Sequence, residues 1–156
     1  IQEWLPHSRT LYDSAGGIRV QPRAYDVKKH ELLEANDRRA MQIGALDFII
    51  GNGDRHFGNL LIDSHGTLWA IDHALAFPPV KKNNPTAYNL YDYLNGTEIP
   101  NFILKDLKNL DEGDLRAAVA PSNNPEVVEG VVYRWKLLLR KKHFPPPEDW
   151  DRYFDD

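Results

Sequence analysis

The chain has 156 residues, of which 42% are hydrophobic and 27% are charged, so it has enough apolar side chains for one globular core. Its net charge of -4 argues against a general nucleic-acid-binding protein, because such proteins usually carry a basic surface. The lack of cysteine excludes disulfides and thiolate zinc sites, and no apolar run is long enough to span a membrane. We expect a cytoplasmic domain, with peripheral binding to a membrane surface left open.

The start of the chain predicts a fragment. Residues 1–5 are typical of the end of a short strand, and no initiator Met precedes them. Residues 7–27 contain several Ser, Gly and Pro residues and predict a long loop with little regular structure. Helical character begins near Val27 and continues to about Ala35, where Asn36 offers an N-cap for a second helix.

Residues 37–50 predict the most buried helix of the domain, because their apolar side chains recur with a period of 3.6 residues. The predicted apolar stripe consists of Met41, Ile43, Ala45, Leu46, Phe48 and Ile50. The segment 51–53 should end this helix, since glycine is common at helix C-termini. We expect this rigid helix to position the loop that follows it, residues 54–58.

Two short apolar runs separated by the turn-forming residues 63–66 predict a β-hairpin. If Ile62 lies opposite Thr67, then Asn59 and Asp72 lie on the same face of the hairpin, displaced by two residues. Such diagonal neighbours are about 7–8 Å apart at the backbone. We therefore expect the side chains of Asn59 and Asp72 to reach one cation.

The last third of the chain predicts packing helices at residues 100–110, at a short segment from Asp111 to Val119, and from Asn124 to about Lys142. The long final helix should cover the helix at 37–50. Its apolar stripe consists of Val127, Val128, Val131, Val132, Trp135, Leu138 and Leu139. Three prolines then begin an extended tail that we expect to dock onto the body through its aromatic residues.

The polar residues around the hairpin point to phosphoryl transfer. An amide and a carboxylate, Asn59 and Asp72, suit a hard cation such as Mg²⁺ that takes its other ligands from water and phosphate. Asp54 precedes Asn59 by five residues and could accept a proton from an attacking hydroxyl. Protein kinases keep the same interval between their catalytic Asp and their metal-binding Asn.

The segment Gly53-Asp54-Arg55-His56-Phe57-Gly58-Asn59, with Ile71-Asp72, resembles the G-D-R-H-x-x-N and I-D signature of phosphatidylinositol 3-/4-kinase-like enzymes. The stretch from Ala70 to Pro78 is similar to the A-I-D-N-G-L-A-F-P stretch of type II phosphatidylinositol 4-kinases. Leu46-Asp47-Phe48-Ile49-Ile50 likewise matches the L-D-x-I-I helix of that family. The resemblance is good over residues 40–94, loose at the first residues and weak in the last third.

The resemblance implies a mainly α fold with a small β-hairpin (α+β), the C-terminal lobe of a protein-kinase-like fold. It divides the chain into a hinge strand at 1–5, the lobe at 6–144 and a C-terminal tail at 145–156. The glycine-rich phosphate loop, the strand lysine and its glutamate partner, which belong to the N-terminal lobe, are not in this sequence. We expect that lobe to be supplied in cis or in trans, and the activity of the fragment alone stays open.

Carried over onto this sequence, the resemblance implies that Asp54 is the catalytic carboxylate and that His56 assists the transferred phosphoryl group. It also implies that Arg55 ties the loop together and that Asn59 and Asp72 bind Mg²⁺. The residues implied for ATP are Glu3, Trp4, Leu5 and Ile71, and those for the acceptor substrate are Lys81 and Lys82.

The resulting hypothesis is a kinase that uses ATP and Mg²⁺ to phosphorylate a lipid or protein hydroxyl, with no nucleic-acid partner and no transmembrane segment. The sequence does not separate the two acceptor classes, because the reacting residues are shared. Two alternatives stay open. One is a non-catalytic pseudokinase or scaffold domain, and the other is a kinase-fold enzyme that transfers a nucleotidyl group.

Overall fold

The computed structural model of the protein describes residues 8–14, 22–78 and 89–145. The helices in these ranges are α1 (Leu11–Ser14), α2 (Pro22–Glu34), α3 (Asp37–Ile50), α4 (Asn89–Leu94), α5 (Asn101–Asn109), α6 (Glu112–Val119) and α7 (Pro125–Lys141), with short 3-10 helices at Phe57–Asn59 and Ala120–Ser122. The strands β1 (Arg9–Thr10), β2 (Leu60–Ile62) and β3 (Leu68–Ala70) form one antiparallel sheet in that order. This confirms a mainly α fold with a small β-hairpin.

The segment before α2 is more regular than the sequence predicts. The predicted loop at 7–27 is wrong where the structure describes it, because residues 9–14 form β1 and α1 and α2 begins at Pro22. Proline suits the first helical position, where its fixed φ is helical and no backbone N–H is needed. β1 pairs with β2, with Arg9 opposite Ile62, so the predicted hairpin becomes a three-stranded sheet.

Helix α3 spans the predicted residues and ends as predicted, with Gly51 in the left-handed conformation at φ 67°. Its buried face differs from the predicted stripe, since Leu46 is 50% exposed. The residues that are buried are Ala40, Gly44, Ala45, Asp47, Phe48 and Ile49. The prediction that α3 is the most buried helix is also wrong, because α7 buries eight of its 17 residues and α3 only six of its 14.

Small residues help to decide which face of α3 is buried. A Cβ at Gly44 would collide with Leu94 Cδ1, so glycine is what lets α4 approach this closely. The hydroxyl of the buried Tyr91 in α4 donates a hydrogen bond to Gly44 O at 2.5 Å. Burial raises the pKa of the Tyr91 hydroxyl well above its usual range, and the charge of Asp47 raises it further. The polar residues of this face therefore belong to the core.

The β-hairpin is confirmed, but its predicted register is wrong by one residue. Ile62 lies opposite Leu68 instead of Thr67. The turn is shorter than predicted, because the Asp63 N–H donates to Thr67 O at 3.1 Å and adds one more residue pair to the antiparallel pairing. Three residues are left for the turn, and Gly66 takes the left-handed conformation at φ 79° that such turns require.

The side chain of Asp63 stabilises this turn. Its Oδ1 accepts hydrogen bonds from the backbone N–H groups of His65 at 2.8 Å and Thr67 at 2.9 Å, and its Oδ2 accepts from Trp69 Nε1 at 2.8 Å. These hydrogen bonds, of which the one from Trp69 has the largest effect, lower the pKa of the Asp63 carboxyl. The ionised carboxylate therefore favours the observed register over the predicted one.

Asn36 lies at the N-cap position of α3, as predicted, but its side chain makes no capping hydrogen bond. Its Nδ2 donates to Leu32 O at 3.0 Å and to Gly66 O at 3.1 Å, and its Oδ1 accepts from the Leu68 N–H at 2.9 Å. One amide side chain thus joins the end of α2 to the hairpin turn and to β3.

Helices α6 and α7 are confirmed, with their predicted caps. Asp111 Oδ1 accepts from the Gly113 N–H at 2.7 Å and the Asp114 N–H at 3.2 Å, and Asn124 Oδ1 accepts from the Glu126 N–H at 3.0 Å. Helix α7 packs against α3, as predicted. Its buried apolar residues are Val127, Val131, Val132, Trp135, Leu137 and Leu138. In the described ranges, no helix is both long enough and apolar enough to cross a membrane.

Candidate active site

The loop between α3 and β2 is built on a buried ion pair. Asp47 and Arg55 are 0% and 1% exposed, and Arg55 Nε and Nη2 donate to the two carboxylate oxygens at 2.7 and 2.9 Å. The Nδ2 of Asn52 donates to Asp47 Oδ1 at 3.1 Å. The planar guanidinium matches the carboxylate at both oxygens, so each charge is neutralised where water does not reach it.

Arg55 also joins the two segments that carry the predicted metal ligands. Its Nη1 donates to Asn59 O at 2.8 Å and to Ile71 O. Asn59 O accepts a second hydrogen bond, from the Ile71 N–H at 3.0 Å. The prediction that Arg55 ties the loop together is therefore confirmed, and the residue preceding Asp72 is held against Asn59.

Asn59 is almost fully buried and fixed in orientation. Its side-chain Nδ2 donates to Asp54 O at 3.0 Å, and its backbone N–H donates to His56 O at 2.9 Å. Among residues 8–14, 22–78 and 89–145, no donor makes a hydrogen bond to Asn59 Oδ1. The amide oxygen is thus the atom that Asn59 leaves available for a cation.

The ring of His56 is held by its neighbour Gly58. His56 Nδ1 accepts a hydrogen bond from the Gly58 N–H at 3.0 Å, so the proton of the neutral ring lies on Nε2. A Cβ at Gly58 would lie 2.8 Å from His56 Cε1 and 2.9 Å from Nδ1. Glycine therefore leaves room for this ring position, and Nε2 is the ring nitrogen that can donate a hydrogen bond.

Asp54 is half-buried at the start of the loop, and its backbone N–H donates to Asn52 Oδ1 at 3.4 Å. In the described part of the chain, its carboxylate makes no hydrogen bond. Asn59 fixes the backbone of Asp54 without occupying the carboxylate. The arrangement leaves this carboxylate available as a proton acceptor.

Asp72 lies two residues after the end of β3 and is exposed. Its φ is 54°, a left-handed value that Asp tolerates better than most residues, and its Oδ1 accepts from the Ala74 N–H at 3.1 Å. The diagonal pairing predicted for Asn59 and Asp72 is wrong, because the register differs and the ladder ends at Ala70. Instead, Arg55 connects the carbonyl of Asn59 to that of Ile71, the residue before Asp72.

The chemistry of these donors fits Mg²⁺. Asn59 Oδ1 and the Asp72 carboxylate are hard oxygen ligands, and Mg²⁺ usually takes only one or two carboxylates from a protein. The ranges 8–14, 22–78 and 89–145 contain no group of three or more His, Asp or Glu side chains that could hold a metal ion. The described residues therefore form no closed cage of these side chains.

A short loop connects Asp72 to the C-terminus of α3. The Ala76 N–H donates to His73 O at 3.0 Å, and the Phe77 N–H donates to Ile50 O at 2.6 Å. Phe77 also takes a left-handed backbone conformation, at φ 63°. The loop from Asp72 to Phe77 thus begins and ends with a residue in a conformation that costs free energy.

Arg134 is buried like Asp47 and Arg55, and the sequence does not predict the burial of any of the three, because ionisable residues are not counted toward the core. Arg134 in α7 is 1% exposed, and its Nε donates to Ile49 O at 2.9 Å. Burial lowers the pKa of Arg134 to about 10. Helical spacing is the signal that could have indicated this burial. Arg134 lies three residues after Val131, and Asp47 lies three residues after Gly44, so each shares a helix face with a buried residue.

A cleft of about 220 Å³ lies beside the loop between α3 and β2, and Phe57 of that loop is one of its lining residues. Its other lining residues are Lys29, His30, Leu33, Asp92 and Tyr93. Burial and the neighbouring Asp37 raise the pKa of Tyr93 to about 12. None of the predicted catalytic or metal-binding residues is among these lining residues, so the cleft is not assigned to the candidate site.

Several predicted residues lie outside the described residues. These are Glu3, Trp4 and Leu5, predicted for ATP, Lys81 and Lys82, predicted for the acceptor, and the tail at 146–156. Ile71, also predicted for ATP, is half-buried and is held through its carbonyl by Arg55.

A family model described as phosphatidylinositol 3- and 4-kinase matches residues 38–135, which is more than half of the chain. The match begins at the second residue of α3, includes the loop between α3 and β2 and the hairpin, and extends past the resemblance at 40–94 into α7. No curated protein and no solved structure gives a significant match. The match supports a kinase-like C-lobe, and the type II resemblance stays a prediction. The chain belongs to the phosphatidylinositol 3- and 4-kinase family.

Proposed function

We propose that the protein transfers the γ-phosphoryl group of ATP to a lipid or protein hydroxyl and that it requires Mg²⁺. The observation that carries this proposal is the bridge made by Arg55, which bonds to the carbonyls of both Asn59 and Ile71. That bridge connects the loop between α3 and β2 to the residue before Asp72. Membership of the family supports a kinase, and it leaves the acceptor open.

Asn59 and Asp72 would hold the metal ion through Oδ1 and the carboxylate. Bound Mg²⁺ would neutralise charge on the phosphate oxygens. The fixed Nδ2 of Asn59 supports this role, because the hydrogen bond to Asp54 O leaves only the amide oxygen for the metal. Further contacts to ATP are proposed for Ile71 and for an N-terminal lobe supplied in cis or in trans.

Asp54 would act as the proton acceptor for the attacking hydroxyl. The hydroxyl oxygen forms a bond to the γ-phosphorus, its proton passes to Asp54, and the bond between the γ-phosphorus and the bridging oxygen breaks. The electron pair of that bond leaves with ADP. His56 would donate a hydrogen bond from Nε2 to a phosphoryl oxygen, since its Nδ1 is already bonded to Gly58.

Full-length protein incubated with ATP, Mg²⁺ and candidate lipid and protein acceptors tests the proposal by mass spectrometry of the products. We expect a phosphate mass increment, and a rate that falls by about 10²–10⁴-fold in Asp54→Asn. Asp114→Asn, an exposed change on α6, is the matched control and should retain the rate.

The same measurement separates the alternatives. A nucleotidyl increment would assign nucleotidyl transfer, and no modification of any acceptor by the full-length protein would favour a scaffold. An unchanged rate in Asp54→Asn would remove Asp54 from the catalytic role.

A further inference from the structure

The C-terminus of α3 connects the candidate active site to α7. The last four carbonyls of a helix have no partner within the helix. In α3, Asp47 O accepts from the Asn52 N–H at 2.8 Å and Phe48 O from the Gly51 N–H at 3.1 Å. The last two carbonyls are bonded elsewhere, Ile49 O to Arg134 of α7 and Ile50 O to Phe77 of the loop after Asp72.

Arg134 is a costly residue at this position. It is 1% exposed, and in the described part of the chain its Nη1 and Nη2 meet no acceptor. A buried charge without a countercharge destabilises a fold, and apolar residues of similar size often stabilise it more. Stability alone therefore gives little reason for an arginine here.

The guanidinium of Arg134 packs where the loop after Asp72 returns to α3. A Cβ at Gly51 would lie 3.0 Å from Arg134 Cζ and 2.8 Å from Pro78 Cδ. The Arg134 guanidinium and Pro78, which follows Phe77, therefore both pack against the backbone of Gly51. The Phe77 N–H donates to Ile50 O at 2.6 Å, and Ile50 directly precedes Gly51.

The loop from Asp72 to Phe77 depends on both of its ends being fixed. Asp72 and Phe77 have φ values of 54° and 63°, and residues in such conformations persist only when their surroundings hold them. Arg55 fixes the end before Asp72 through Ile71 O. The other end rests on the C-terminus of α3, to which Arg134 donates.

We propose that Arg134 is a positioning residue for Asp72, because it fixes the end of α3 on which the loop from Asp72 to Phe77 is anchored. The role rests on the proposed function, in which Asp72 binds a divalent cation. Arg134 acts through α3 and the loop and does not itself contact the metal or the nucleotide. Residues that orient metal ligands commonly change metal affinity by about 10–100-fold when they are replaced.

The test compares wild-type full-length protein with Arg134→Met, which keeps an apolar stem and removes the guanidinium. Binding of Mn²⁺, a spectroscopic substitute for Mg²⁺, is measured in the presence of a non-hydrolysable ATP analogue. We expect the Kd for Mn²⁺ to rise about tenfold in Arg134→Met. The Kd of the analogue without metal and the melting temperature should not worsen. Arg140→Met, on the exposed side of the same helix, is the matched control and should bind Mn²⁺ as wild type does.

Each outcome decides one question. Wild-type Mn²⁺ affinity in Arg134→Met would overturn the positioning role and leave the proposed function standing. Failure of the wild-type protein to bind Mn²⁺ with the analogue would overturn the proposed function itself. If Arg134→Met does not fold, Arg134→Lys replaces it, because it keeps the charge and removes the planar group that packs on Gly51. Weaker Mn²⁺ binding by Arg134→Lys would support the role, and wild-type binding would overturn it.

Discussion

Replacing Asp47 by Asn tests whether the ion pair beneath the loop supports the fold. Arg55 donates to both carboxylate oxygens of Asp47 and is 1% exposed, so Asp47→Asn leaves a guanidinium without its countercharge. The NH₂ group of the new Asn side chain would also lie against an N–H donor of Arg55, where the carboxylate oxygen was an acceptor. Breaking a buried pair in this way usually costs about 3–5 kcal/mol. This is a large part of the roughly 5–15 kcal/mol that stabilises a typical domain.

Urea unfolding followed by tryptophan fluorescence measures this loss, since Trp69 and Trp135 lie in the sheet and in α7. Asp106→Asn, an exposed change on α5, is the control and should stay within about 0.5 kcal/mol of wild type. The double variant Asp47→Asn/Arg55→Met should recover part of the loss, because it removes the unpaired charge. A loss below about 1 kcal/mol in Asp47→Asn would refute the reasoning.

Two further substitutions separate the reactivity of the site from the stability of the fold. Gly58→Ala brings a methyl group to 2.8 Å from His56 Cε1, so we expect the transfer rate of the full-length protein to fall by about tenfold or more, with little change in urea unfolding. An unchanged rate would mean that the His56 ring position is unimportant. Asp111→Ala removes the acceptor for two N–H groups of α6 and should lower the free energy of unfolding by about 1 kcal/mol without affecting transfer. Equal unfolding curves would contradict that cap.

The elements that the sequence predicts well are those with local signals. Asp111 and Asn124 cap the helices that follow them, and Gly51 ends α3, because each effect depends on residues a few positions away. The sequence contains no such local signal for β1 or α1. Strand β1 is two residues long and forms through its pairing with β2. Short elements of this kind depend on tertiary contacts.

The sequence proposes the residues of the candidate site, whose roles stay predictions, but it does not show how the structure connects them. The spacing of Asp54, Asn59 and Asp72 indicated the chemistry. The assumed register predicts the wrong pairing of Asn59 with Asp72, because a slip of one residue changes which side chains share a face. The ion pair of Asp47 and Arg55 was missed because a charged residue on an apolar face is counted as exposed unless its partner is known.

The hairpin is fastened to the helices at both of its ends. At the turn, the Asn36 side chain bonds to Gly66 O and the Leu68 N–H, and at the open end Arg55 bonds to Ile71 O. A hairpin held in this way has little freedom to tilt or slide on the microsecond-to-millisecond timescale of lid and domain motions. We expect the sheet to move with α3 as one body. Under the proposed function, closure around a nucleotide would then bring the other parts of the site to a fixed platform.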